Sequence, residues 1–219
     1  MGMPVVSGPD LLVLVALRLR TLADLDTIVT ATGADPSGTG QVLEALAAAG
    51  LVRSREGRVS GWMLTPQGRA LCESRLAAEL DASGARDIVA GAYGRFLSVN
   101  QQLIDLCTRW QLREGDVVND HTDAAHDAAV LADLDEVDRV GQEVCTALGE
   151  AMVRFDGYGA RLATARASVH AGDPDWLTRP TIDSYHTVWF ELHENLLATL
   201  GLERGHEVVP DTSSLQEAR

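Results

Sequence analysis

Histidines set among carboxylates occur in two stretches of this sequence, and they define the chemistry on offer. In residues 182–197, IDSYHTVWFELHENLL, a 100° step per residue puts Ile182, His186, Trp189, Phe190, His193 and Leu197 on one helical face. Asp183 and Glu194 flank that face. An imidazole oriented by a carboxylate suits general acid/base work or a ligand held between helices. The same residues also suit a hydrogen-bonded core. Residues 116–127, DVVNDHTDAAHD, gather Asp120, His121, Asp123, His126 and Asp127. That oxygen-rich set with imidazole fits a divalent ion or a cationic or hydroxylated ligand. Acids near a helix start also stabilise its dipole, and no standard ligand spacing such as H-E-x-x-H is present. Asp123, His126, Asp127, His186 and His193 are the metal-ligand candidates. No cofactor is expected, with a divalent metal as the open alternative.

Arginine and aromatic residues extend these candidates. Arg154, Tyr158 and Arg161 share one helical ridge, where the two arginines can pair with Asp123 or Asp127 or hold an anionic ligand. Trp110 closes a helical pattern and either lines a pocket or plugs the core. The three cysteines, Cys72, Cys107 and Cys145, have no paired spacing, which argues against a disulfide framework or a zinc knuckle.

The elements that must position these groups are mostly helices, since 46% hydrophobic with only 5% aromatic residues points to Ala/Leu/Val packing. Periodicity predicts helices over 11–19, 22–32 and 38–49, the third capped by Ser37. A hairpin follows, with strands at 51–55 and 58–64 about a Glu56-Gly57 turn. Thr65 and Pro66 then open a further helix as N-cap and first residue. Residues 86–113 predict two helical segments, the second starting after Ser98. Residues 134–170 form the longest pattern, with a break near 156–159. Three helices, a two-stranded wing and a fourth helix are the order of a winged helix-turn-helix. The fold class expected is mainly α, with that module at 1–80, an acidic all-α bundle at 81–205 and a flexible tail at 206–219.

The segment LEALAAAGLVRSREGRVSGWMLTPQGRAL resembles the third helix and wing of the MarR/PadR-like winged-helix regulators, whose wing ends in a Leu-Thr-x-x-Gly turn. The resemblance covers about the first third of the chain. It implies a recognition helix over 38–46, with Ser37, Thr39, Gln41 and Glu44 on its outer side and Arg53, Arg55 and Arg58 on the wing. Ser37, Thr39, Gln41 and the three arginines are therefore the DNA-contact candidates. "RFDGYGARL" and "SYHTVWFELHENLLATLG" are similar to segments of actinobacterial winged-helix proteins and of modules attached to phosphoenolpyruvate-utilising proteins.

The formal charge of −14 is unevenly spread: residues 1–80 hold seven arginines against eight acids, and 81–219 hold eleven against twenty-four. An acidic second part would keep DNA on the wing. Yet the 38–49 helix carries no basic residue, although base readout most often uses arginine or lysine. The favoured reading is a cytoplasmic, homodimeric transcription regulator that binds DNA and senses a small molecule. The competing one is an enzyme or accessory subunit with a His/Asp/Arg site in the helical part. No run is long enough to span a membrane and no signal peptide is read.

Overall fold

A computed structural model describes residues 3–115 and 117–202. The 206–219 tail expected to be flexible lies outside the described residues. The protein is mainly helical and divides into two compact units. The first comprises residues up to Asp87 together with Gly149–Arg154 and His193–Leu202. The second comprises Ile88–Leu148 and Phe155–Leu192. Among the described residues no helix is long and apolar enough to cross a membrane.

In the first unit α1 (Pro9–Arg20), α2 (Leu25–Thr32) and α3 (Pro36–Ala48) precede a hairpin of β1 (Val52–Arg55) and β2 (Gly61–Leu64), and α4 (Pro66–Ser83) follows. Side-chain caps set the starts of α2, α3 and α4. Asp24 accepts from the Thr27 amide at 2.9 Å, and Asp35 from the Gly38 amide at 2.8 Å. Asp35, not Ser37, is thus the cap of α3, because Pro36 takes the first helical position and leaves Ser37 inside the helix. Thr65 caps α4 as its sequence predicts, with the Gly68 amide 3.0 Å away.

The hairpin is antiparallel, pairing Val52 with Leu64 and Arg55 with Gly61. Ala23 adds a backbone bridge to Trp62, donating at 3.1 Å and accepting at 2.7 Å. α1 contacts α2, α3, α4 and β2, so its Leu14 and Leu17 sit at the centre of a core shared with Ile28, Leu43, Val52, Cys72 and Leu76. Ala198 joins that core, and Val5 pairs in parallel with Met152. Segments far along the chain therefore complete the first unit. Arg154 fixes one of them, its side chain 1% exposed and bonded to Glu79, Asn195 and Thr199 at 3.2, 2.8 and 2.9 Å.

The second unit is built on α5 (Arg86–Gln111), α6 (Ala124–Ala151), α7 (Tyr158–His170), the short α8 (Asp175–Thr178) and the first half of α9 (Tyr185–Leu200). α5 is one helix where two segments are predicted, because the Ser98 hydroxyl donates back to the Arg95 carbonyl at 2.6 Å instead of capping a new start. A second hairpin, β3 (Leu112–Arg113) with β4 (Val117–Val118), links α5 to α6. The predicted break near 156–159 is present, as a 3-10 turn over Val153–Phe155 and a left-handed Gly157.

α9 begins at Tyr185, inside the 182–197 stretch whose spacing predicts a helical face. Its buried side is Tyr185, Val188, Trp189, Leu192 and Leu196, while Phe190 is 45% exposed. The buried face is therefore turned by about one residue, 100°, from the predicted stripe, so that His186 is only half-buried while His193 is buried. Tyr185 and Trp189 decide the rotation. Trp189 stacks on Phe96 at 4.4 Å and donates to Asn100 at 3.0 Å, and the Tyr185 hydroxyl donates to the buried Asp138 at 3.2 Å. Gly141 lets that indole lie against α6: an added Cβ would stand 2.9 Å from Trp189 Cζ3.

Candidate functional site

The hairpin of the first unit carries three of its exposed arginines, and Arg69, in the first turn of α4, is a further one. Val52 faces the core at 2% exposure, whereas Arg53 and Arg55, two residues apart on one strand face, are exposed together with Arg58 in the turn. Among the described residues none of the three meets a carboxylate. Most other arginines do. Arg18, Arg75 and Arg154 pair with Glu73, Asp10 and Glu79 in the first unit. Arg109, Arg113, Arg161, Arg166 and Arg179 pair with Asp133, Asp123, Glu191, Asp135 and Asp175 in the second.

α3 offers less to a duplex than its sequence predicts. Ser37, Gln41 and Glu44 are exposed, but Thr39 is 3% exposed and donates its hydroxyl to the Asp35 carbonyl at 2.9 Å. Thr39 is thus removed from the surface residues, because a β-branched hydroxyl within a helix satisfies itself on the preceding turn. A cavity of about 440 Å³ runs beside α3, lined mainly by Leu12, Val13, Thr32, Val42 and Ala45.

In the second unit the acidic stretch folds into a loop locked onto the start of α6. Asn119, 5% exposed, donates through Nδ2 to the Trp110 carbonyl at 3.0 Å and to Asp127 Oδ1 at 3.0 Å. The other Asp127 oxygen lies 3.0 Å from His121 Nδ1. His121 stands at φ +57°, a left-handed conformation rare for a residue with a side chain. Its ring centre is 4.5 Å from that of Trp110, and the Trp110 indole N–H donates to the Pro174 carbonyl at 3.1 Å. Trp110 is 4% exposed and serves as a core plug.

The remaining acids have local partners. Asp123 caps α6, accepting from the Ala125 and His126 amides at 3.1 Å, and pairs with Arg113 at 2.7 Å. The His126 amide, then Arg113, hold its carboxyl below the usual carboxylate range. Asp120 accepts from the Thr122 hydroxyl at 2.7 Å, which lowers its pKa in the same way. His126 Nε2 donates to the Arg109 carbonyl at 2.9 Å. A cavity of about 820 Å³ opens beside this loop, lined by Thr108, Arg109, Leu112, Arg113, Val117, Asp120 and His126.

The Arg154/Tyr158/Arg161 ridge is divided. Arg154 belongs to the buried network of the first unit, and neither arginine pairs with Asp123 or Asp127. Arg161 lies in the second unit with Tyr158, its fork on Glu191 at 2.8 and 3.1 Å and its Nε on Asp183 at 2.9 Å. Burial alone would lower the Arg161 pKa, but Glu191 and Asp183 reverse the effect and raise it. Three of its five N–H donors are thus taken, and the two carboxylates offset the charge an anionic ligand would need. His186 is pushed towards its neutral form by burial, and Trp189 is core. Among the described residues no group of three or more His, Cys, Asp or Glu side chains could hold a metal ion.

Asn119 is the residue that sequence reading misses. Its position two residues before a left-handed His121 is the signal, since Asn and Asp side chains build such turns by bonding nearby backbone; the His121 amide donates to Asn119 Oδ1 at 3.2 Å. Comparison of the chain with family models, curated proteins and solved structures gives no match.

Proposed function

We propose that the chain is a winged-helix transcription regulator of the MarR/PadR-like kind, with a helical second unit that senses a small molecule. The observation that carries this reading is the set of arginines without carboxylate partners on the β1–β2 hairpin, in a chain of formal charge −14 where most described arginines are paired. Affinity for nucleic acid comes mainly from neutralised phosphates. An arginine already held by a carboxylate contributes little to that.

The element order supports the same reading. Three helices, a hairpin bridged to the segment before α2 through Ala23 and Trp62, and a fourth helix follow the winged helix-turn-helix plan. In that plan α3 takes the recognition position and the hairpin is the wing. The cavity beside the β3–β4 loop supplies space for a small molecule, with cationic and apolar lining together. A homodimer would present two wings to one duplex.

The test is a mobility shift of the DNA upstream of the coding sequence at several salt concentrations. A retarded complex that weakens as salt rises is expected. No retardation even at low salt overturns the proposal.

A further inference from the structure

We infer, resting on the regulator reading above, that the protein holds duplex DNA through its phosphates chiefly by the arginines of the β1–β2 hairpin, and that α3 reads no base edges. Sequence preference then follows groove shape and deformability instead of base hydrogen bonds.

Direct readout uses long donors, above all arginine or lysine to guanine and asparagine or glutamine to adenine. α3 contains neither arginine nor lysine, and Thr39 is turned inward onto the Asp35 carbonyl. Its exposed polar side chains are Ser37, too short to span a groove, Glu44, whose charge opposes phosphates, and Gln41, the single amide of α3 long enough to reach a base and therefore the residue the experiment substitutes. Gly40, Ala45 and Ala48 add no side-chain donor. The N-terminus of α3 is also spent. A helix start binds phosphate through its free amides, but here the Asp35 carboxylate occupies the Gly38 amide at 2.8 Å and brings its own negative charge.

The hairpin has the opposite character. Arg53 and Arg55 project from one face of β1, Arg58 stands in the turn, all three are exposed, and their side chains reach phosphate in forked geometry. Among the described residues of the first unit, the exposed arginines without carboxylates are these three and Arg69, in the first turn of α4. Three neutralised phosphates give a slope of log affinity against log salt of about −3 per hairpin, and on the order of −5 for two copies on one duplex.

The experiment is fluorescence anisotropy of the full chain on two short duplexes of equal length and unrelated sequence, across a salt series. The two affinities should agree within about threefold, far below the discrimination of a base-reading protein. The triple variant R53A/R55A/R58A should lose at least about tenfold on both duplexes, and flatten the salt slope, with an unchanged melting temperature. Gln41→Ala and Ser37→Ala should change nothing on either.

A loss of about tenfold on one duplex alone with Gln41→Ala would show α3 reading bases and overturn the inference while leaving the regulator reading intact. Wild-type affinity in the triple variant overturns it too. So does a triple variant that changes self-association but not DNA affinity, since the arginines would then engage the acidic surface of a second copy. Failure of both duplexes to bind at low salt overturns the regulator reading itself.

Discussion

At Gly68 one added methyl group meets the least forgiving neighbour in the chain. A Cβ there would stand 1.9 Å from the Leu51 carbonyl oxygen, which the Thr65 amide and hydroxyl already hold at 3.0 and 3.1 Å. The carbonyl has no room to retreat, so Gly68→Ala should cost about 3 kcal/mol, read as a fall in the denaturation midpoint. Arg154 is the charged counterpart. Removing it leaves Glu79 in a nearly closed site, and Arg154→Ala should cost about 3–5 kcal/mol, whereas Arg139→Ala, on an exposed pair, should cost under about 1 kcal/mol. Equal losses at the two positions would refute the assignment. His186 gives the pH dependence. Burial lowers its pKa, so below about pH 6.5 the unfolded chain binds a proton that the folded chain resists. Stability contributed by the neutral imidazole is full above that value and lost as pH falls through it. Denaturant midpoints at pH 5 and pH 7.5 should differ less in His186→Leu than in the wild type.

Among the elements, the β3–β4 loop and the start of α6 are coupled through Asp123 and Asn119. Asp123→Ala removes a helix cap and the Arg113 pair and should lower the melting temperature slightly. Asn119→Ala strands the Trp110 carbonyl and one Asp127 oxygen in a part-buried site, and should cost about 1–3 kcal/mol. Thermal unfolding of the two variants checks the order, and a milder effect at Asn119 would count against the lock. The hairpin of the first unit and α4 were legible beforehand because their signals are local: a glycine turn between alternating residues, and Thr-Pro ahead of a helical pattern. The rotation of α9 was not. Periodicity ranks apolar residues but cannot say which of two adjacent faces wins, and here Asp138, Asn100 and Phe96, all distant in sequence, fix the Tyr185 and Trp189 face.

Over the whole molecule, the three cysteines report on packing in both units. Burial pushes the Cys72 thiol up to about 11 and those of Cys107 and Cys145 up to about 12. A thiol reagent at pH 8 should find none of them in the folded chain and all three after denaturation; fast reaction of any one in the native protein would contradict the described cores. Sequence by itself determined the helical class, the turn chemistry of the first hairpin, the cap at Thr65 and the charge asymmetry, because each depends on composition or on residues within a few positions of one another. It also supplied candidate residues without their partners. Only tertiary structure placed Arg154 against Glu79 and Arg161 against Glu191, turned Thr39 inward, paired His121 with Asp127, and left the hairpin arginines without carboxylates among the described residues. Those outcomes depend on which distant side chain reaches a charge first, and a buried or half-buried charge takes the nearest carboxylate whatever its distance along the chain.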